Sequence, residues 1–118
     1  MQDDLIKQME EVIDSLNQLI LPVNDEVGEF AKATANYEYL KEKRKFVLAQ
    51  EMEKYNGSNA DRKAKAEGSK AYLNALREEK KAKGKSMQVK AEKDLLMAKL
   101  DSLRTRISYN KYIDNSTM

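Results

Sequence analysis

The chain has no cysteine, no histidine and no tryptophan, and among its 118 residues there are one proline and four glycines. Without cysteine there is no disulfide framework, no thiolate nucleophile and no thiolate metal site, which suits a reducing compartment. The loss of histidine removes the commonest general base and most transition-metal ligand sets as well. Only carboxylate chemistry remains, so the sequence predicts a protein that is not an enzyme and that carries no cofactor and no metal. It also lacks any apolar run near the ~18 residues that a membrane span requires. Its opening residues, Met1-Gln2-Asp3-Asp4, are acidic where a secretory leader would be basic. These features predict a cytoplasmic protein with no membrane partner.

What is present is charge and helix formers. Charged residues make up 36% of the chain and hydrophobic ones 41%, a balance found in long helices and coiled coils. The fold class expected is all-α, with helix over more than about three quarters of the chain. The net charge of +2 conceals an uneven layout. Residues 1–29 hold eight acids against Lys7 alone, a local sum of −7, while residues 62–93 hold eleven bases against four acids, a sum of +7. Opposed fields of this kind steer association more than they support catalysis.

The apolar residues Leu5, Met9, Val12, Leu16, Leu19 and Val23 follow alternating steps of four and three, the mark of a helix with one packed seam. Pro22 removes an amide donor and predicts a kink or break. The stripe resumes at Val27, Phe30, Thr34, Tyr37, Leu40, Val47, Leu48 and Met52. In Tyr55-Asn56-Gly57-Ser58-Asn59, Gly57 supplies a left-handed residue that ends a helix, and Ser58 with Asp61 resembles a cap that starts the next. The second helix sets small residues, Ala60, Ala64, Gly68, Ala71, Ala75 and Ala82, where the first sets large ones. Val89, Leu96 and Leu103 then continue the line.

The predicted architecture is a long antiparallel helical hairpin, a coiled coil in one domain. It comprises an acidic arm over 1–21, a first hairpin helix over 23–55, a second over 60–113 and a tail over 114–118. Reversal near Gly57 places residue i opposite 115 minus i. The alternative is a three-helix bundle, in which the chain turns fully at Pro22 and lays residues 3–21 against the basic stretch.

Several clusters invite a chemical reading. Glu10-Glu11 with Asp14, and Asp25-Glu26 with Glu29, have the spacing of a cation site, but acids beside a basic arm are ordinary surface design. Arg77, Lys80, Lys81, Lys83, Lys85 and Lys90 form a candidate nucleic-acid contact, because clustered cations gain affinity by releasing counterions from phosphates. Glu78 and Glu79 interrupt that block, and no aromatics are interleaved beyond Tyr72. Gly84 is a weak point in the second helix and predicts a bend. Leu5, Met9, Val12, Leu16 and Leu19 along the first seam, with Arg104, Arg106, Tyr109 and Tyr112 near the end, form a candidate protein interface.

The segments Tyr37-Glu38-Tyr39-Leu40-Lys41-Glu42-Lys43-Arg44-Lys45 with Ala49, Ser69-Lys70-Ala71-Tyr72-Leu73, and Leu103-Arg104-Thr105-Arg106 after Leu100 carry a resemblance. Over roughly residues 30–107 the chain resembles small helical, coiled-coil proteins of tailed bacteriophages, encoded in early recombination and replication regions. That resemblance implies no active site; it implies an accessory to phage DNA metabolism, or a small protein that binds and modulates a host or phage machine, working in the host cytoplasm. The acidic arm before Pro22 departs from the pattern.

The expected function is non-enzymatic binding of a protein partner, with self-association, a dimer above all. The rival reading is a nucleic-acid-binding accessory that uses the basic face. A third is a chaperone or inhibitor that offers the acidic arm to a basic groove.

Overall fold

In the computed structural model of the protein, residues 2–21 and 28–117 are described. They form α1 (Gln2–Ile20), α2 (Glu29–Met52), α3 (Asn59–Glu67) and α4 (Lys70–Thr117), and no strand occurs among them. The chain is all-α, as the composition predicts. Pro22, Val23, Asp25, Glu26 and Val27 lie outside the described residues. The chain divides into two compact units, Met1–Ala31 with Gln88–Met118 and Lys32–Met87.

In the first unit, α1 packs on the second half of α4. Leu5, Val12 and Leu16 form one core with Leu100, Leu103 and Ile107, and Met9, Ile13 and Leu96 pack against it. The four-and-three spacing of α1 is the cause, since it puts every large apolar side chain on one stripe that α4 covers. The pairing is antiparallel, with Asp4, Leu5 and Gln8 beside residues 105–110, close to the expected position opposite Leu5. The α1 core is made with Leu100, Leu103 and Ile107, the end of α4 that the hairpin reading sets opposite the acidic arm. Gly28 lies against the end of α1, where a Cβ would come within 2.7 Å of the Ile20 carbonyl carbon and 2.8 Å of the Leu19 oxygen. Only glycine tolerates that approach.

In the second unit, α2 packs antiparallel on the start of α4, with Lys43 beside Glu78 and Arg44 beside Glu79. These partners lie six and eight residues beyond the 115-minus-i register, a shift of about two helical turns. The extra chain is α3. The sequence predicts it as the start of one helix over 60–113, but it is a separate element, and the ion pairs to α2 come from α4.

The turn itself forms as predicted. Gly57 has a φ of 121°, the Ser58 side chain accepts from the Asp61 amide at 3.2 Å, and α3 begins at Asn59. Arg62 Nε then donates to the Met52 carbonyl at 3.1 Å, tying α3 to the end of α2. The break at Gly68-Ser69 is held by one hydroxyl: Ser69 Oγ donates to the Ala66 carbonyl at 2.7 Å and accepts from the Tyr72 amide at 3.2 Å. A glycine–serine pair is a common site for such a break. It resets the helical phase, so Ala75 and Ala82 are buried as expected while Ala60, Ala64, Gly68 and Ala71 are exposed. Gly84 is helical within α4, with nothing within 4 Å of a Cβ at that position. Helix also continues past 113 to Thr117, over most of the expected tail.

Candidate functional site

Along α4 two lines of residues at steps of seven face inward. Tyr72, Glu79, Ser86, Lys93, Leu100 and Ile107 form one, and Ala75, Ala82, Val89, Leu96 and Leu103 the other; all are buried or half-buried. This strict repeat decides which side chains are free to meet a partner.

Leu5, Val12, Leu16 and Leu19 are buried and Met9 is half-buried, so these candidate interface residues are occupied by the chain's own core. Arg104, Arg106, Tyr109 and Tyr112 are exposed. Tyr109 and Arg106 line a groove of about 590 Å³ in the first unit, together with Asp4, Leu5, Gln8, Thr105 and Asn110. Arg104 lies on the other flank of α4 and pairs with Asp101 at 3.8 Å. The groove offers an aromatic ring 63% exposed, a guanidinium, a carboxylate and amides around an apolar floor. It can hold a peptide or helix edge by stacking and hydrogen bonding, and it has no nucleophile paired with a base.

The six candidate nucleic-acid residues are all exposed. The repeat places Arg77, Lys80 and Lys81 opposite the seam, with Lys70 one heptad before Arg77. Lys83 and Lys90 lie on one flank, and Lys85 shares the other with Glu78 and Glu92. Lys90 belongs to the stretch of α4 in the first unit. The acids that interrupt the block in sequence are turned toward α2. Glu78 pairs with Lys43 at 3.6 Å, and Glu79 accepts from Arg44 Nε.

Arg44, Glu51 and Glu79 are the residues that sequence reasoning missed. Arg44 is held above the usual guanidinium range, first by its hydrogen bond to Glu79 and against the cost of burial, with a further bond to the Tyr72 hydroxyl at 3.5 Å. Glu51 is buried and accepts from Lys54 Nζ at 2.8 Å, a bond that raises the Lys54 ammonium above its ordinary value. The signal was spacing: Phe30, Tyr37, Arg44 and Glu51 continue one line at sevens.

Charge divides with the fold. The second unit holds fifteen Lys and Arg against eight Asp and Glu, a net +7; the first holds seven against twelve, a net −5. Among the described residues no three acidic side chains gather as cation ligands, and no helix is long and apolar enough to cross a membrane. Comparison with family models, with curated proteins and with solved structures finds no match to the chain, so its functional reading rests on the geometry above.

Proposed function

We propose that the chain is a non-enzymatic interaction protein that binds a protein partner through the groove between the start of α1 and the end of α4. The observation that carries this reading is the lining: Arg106 and the exposed Tyr109 stand over Leu5, residue types that dominate binding energy at protein interfaces. The apolar seam of α1 is spent in the chain's own core. A partner, or a second copy in a homodimer, therefore meets the groove and its rim rather than that seam. Asp4 lines it, and Asp3, Glu10, Glu11 and Asp14 are exposed along the same helix, an acidic surface that favours a partner with basic character. The resemblance to small phage proteins supplies the setting, an accessory to DNA metabolism in a host cell.

A photo-crosslinking residue in place of Tyr109 tests this in cells of the native host. The expected result is a discrete cross-linked partner band that disappears when Arg106→Ala is added. No band beyond that given by the same residue at Lys45, on the second unit, overturns the reading. Sedimentation at low and high salt separates a second copy from a different protein.

A further inference from the structure

We propose that the outward face of α4 from Lys70 to Lys83 binds the phosphate backbone of a nucleic-acid duplex, without regard to base sequence. This face belongs to the second unit and stands independently of the groove.

The interruption of the basic block by Glu78 and Glu79 is the main objection to this reading, and the fold removes it. Both carboxylates are paired with cations of α2, Glu78 with Lys43 and Glu79 with Arg44. Opposite the seam, α4 then carries Lys70, Arg77, Lys80 and Lys81 and no acid over this stretch, with Lys83 at its edge. All five are exposed, and none has an ion-pair partner among the described residues. Neighbouring cations differ. Lys63 pairs with Glu67 at 4.0 Å, and Lys65 lies over the Tyr55 ring at 5.9 Å.

The five cations span ~20 Å of helix. A DNA duplex presents a charge every ~1.7 Å of its axis, and cations laid along it gain affinity by displacing condensed counterions. That gain needs no apolar anchor. A protein partner does need one, and beside these cations the large apolar residues are Leu73 and, at the edge shared with Lys83, the half-buried Leu76, which form only an open, shallow hollow with Arg77 and Lys80. Single strands are bound by aromatic platforms on which bases stack, and this face has none, since Tyr72 is buried toward the seam. A duplex therefore fits best.

The test is fluorescence anisotropy of the full chain with two labelled DNA duplexes of unrelated sequence, across a series of salt concentrations. The expected result is equal affinity for both, with log K falling against log salt at a slope of about −3 to −4. The variant Arg77→Ala, Lys80→Ala, Lys81→Ala, Lys83→Ala is expected to lose at least ~10-fold in affinity and to flatten the slope by about 3. A control, Lys32→Ala, Lys41→Ala, Lys45→Ala, Lys63→Ala, removes the same charge from the same unit and is expected to lose less than ~3-fold. Circular dichroism checks helicity, and glutamine replaces alanine in either set if helix is lost. Four results would overturn the proposal: no binding at the lowest salt, equal loss in the two variants, tighter binding of a single strand, or displacement of the duplex by polyglutamate at matched charge. The last would assign the face to an acidic protein instead.

Discussion

The two units use one helix, α4, in opposite ways. Where α1 packs on it, the inward residues are Leu100, Leu103 and Ile107, and the partner helix answers with Leu5, Val12 and Leu16. Where α2 packs on it, the inward residues are Tyr72, Ala75, Glu79, Ala82 and Ser86, and the answer includes Arg44. The first seam gains its free energy from apolar burial, the second from small residues that admit close approach and from a polar cluster that fixes register. The difference extends to the surface. By drawing Glu78 and Glu79 toward α2, the polar seam leaves the opposite side of α4 cationic, so internal packing and external charge have one origin.

The strongest way to break this comparison is to cut into the apolar seam. Leu103→Ala, at a side chain only 3% exposed, is expected to cost about 3 kcal/mol, read from the urea midpoint. A loss below about 1 kcal/mol would mean that the first unit has no distinct apolar core. Next comes the polar cluster. Glu79→Ala leaves the half-buried Arg44 guanidinium without its carboxylate and is expected to cost about 2 kcal/mol. The double change Arg44→Met with Glu79→Leu is expected to restore or exceed the original stability while loosening register. A double variant as unstable as the single would show that the pair contributes stability rather than specificity.

Two glycines sharpen the contrast between a turn and a helix interior. Gly57→Ala forces a side chain into a left-handed conformation and is expected to cost about 1 kcal/mol. Gly84→Ala, in open space on an exposed helix face, is expected to stabilise by about 0.5–1 kcal/mol. Thermal melts decide the sign of each. The smallest effect is that of Lys54. Its ammonium is raised by the bond to Glu51, so the contribution is fully present below the ordinary lysine value and is lost as pH rises through the raised one. A slight fall in melting temperature at strongly alkaline pH, absent in Lys54→Met, is expected. Arg44, raised beyond the guanidinium range, adds no dependence at any pH short of that.

Large apolar residues at regular spacing made the α1 seam legible in the sequence, and Asn56-Gly57-Ser58 marked the turn because each residue has a distinct conformational task. The α2 seam was less legible because its inward positions are polar. Tracking apolar residues from Leu40 to Val47 passes over Arg44, although Phe30 and Tyr37 point to it at a step of seven. The break at Gly68-Ser69 was hidden by reading Gly68 as one more small residue of a stripe. That misreading also misplaced the register, since it counted α3 into the paired helix. The exposed cations were evident from composition. The acid-free character of their face was not, because it depends on where Glu78 and Glu79 turn.

That orientation can be measured directly, since a chain without cysteine accepts a single engineered pair. Glu78 and Ala71 occupy the same flank of α4, one heptad apart, and the register decides which of them lies beside Lys43. A short bismaleimide cross-linker is expected to join Lys43→Cys with Glu78→Cys rapidly and to leave Lys43→Cys with Ala71→Cys unlinked. Preferential linkage of the second pair, or equal rates for both, would contradict the packing from which both the polar seam and the cationic face follow.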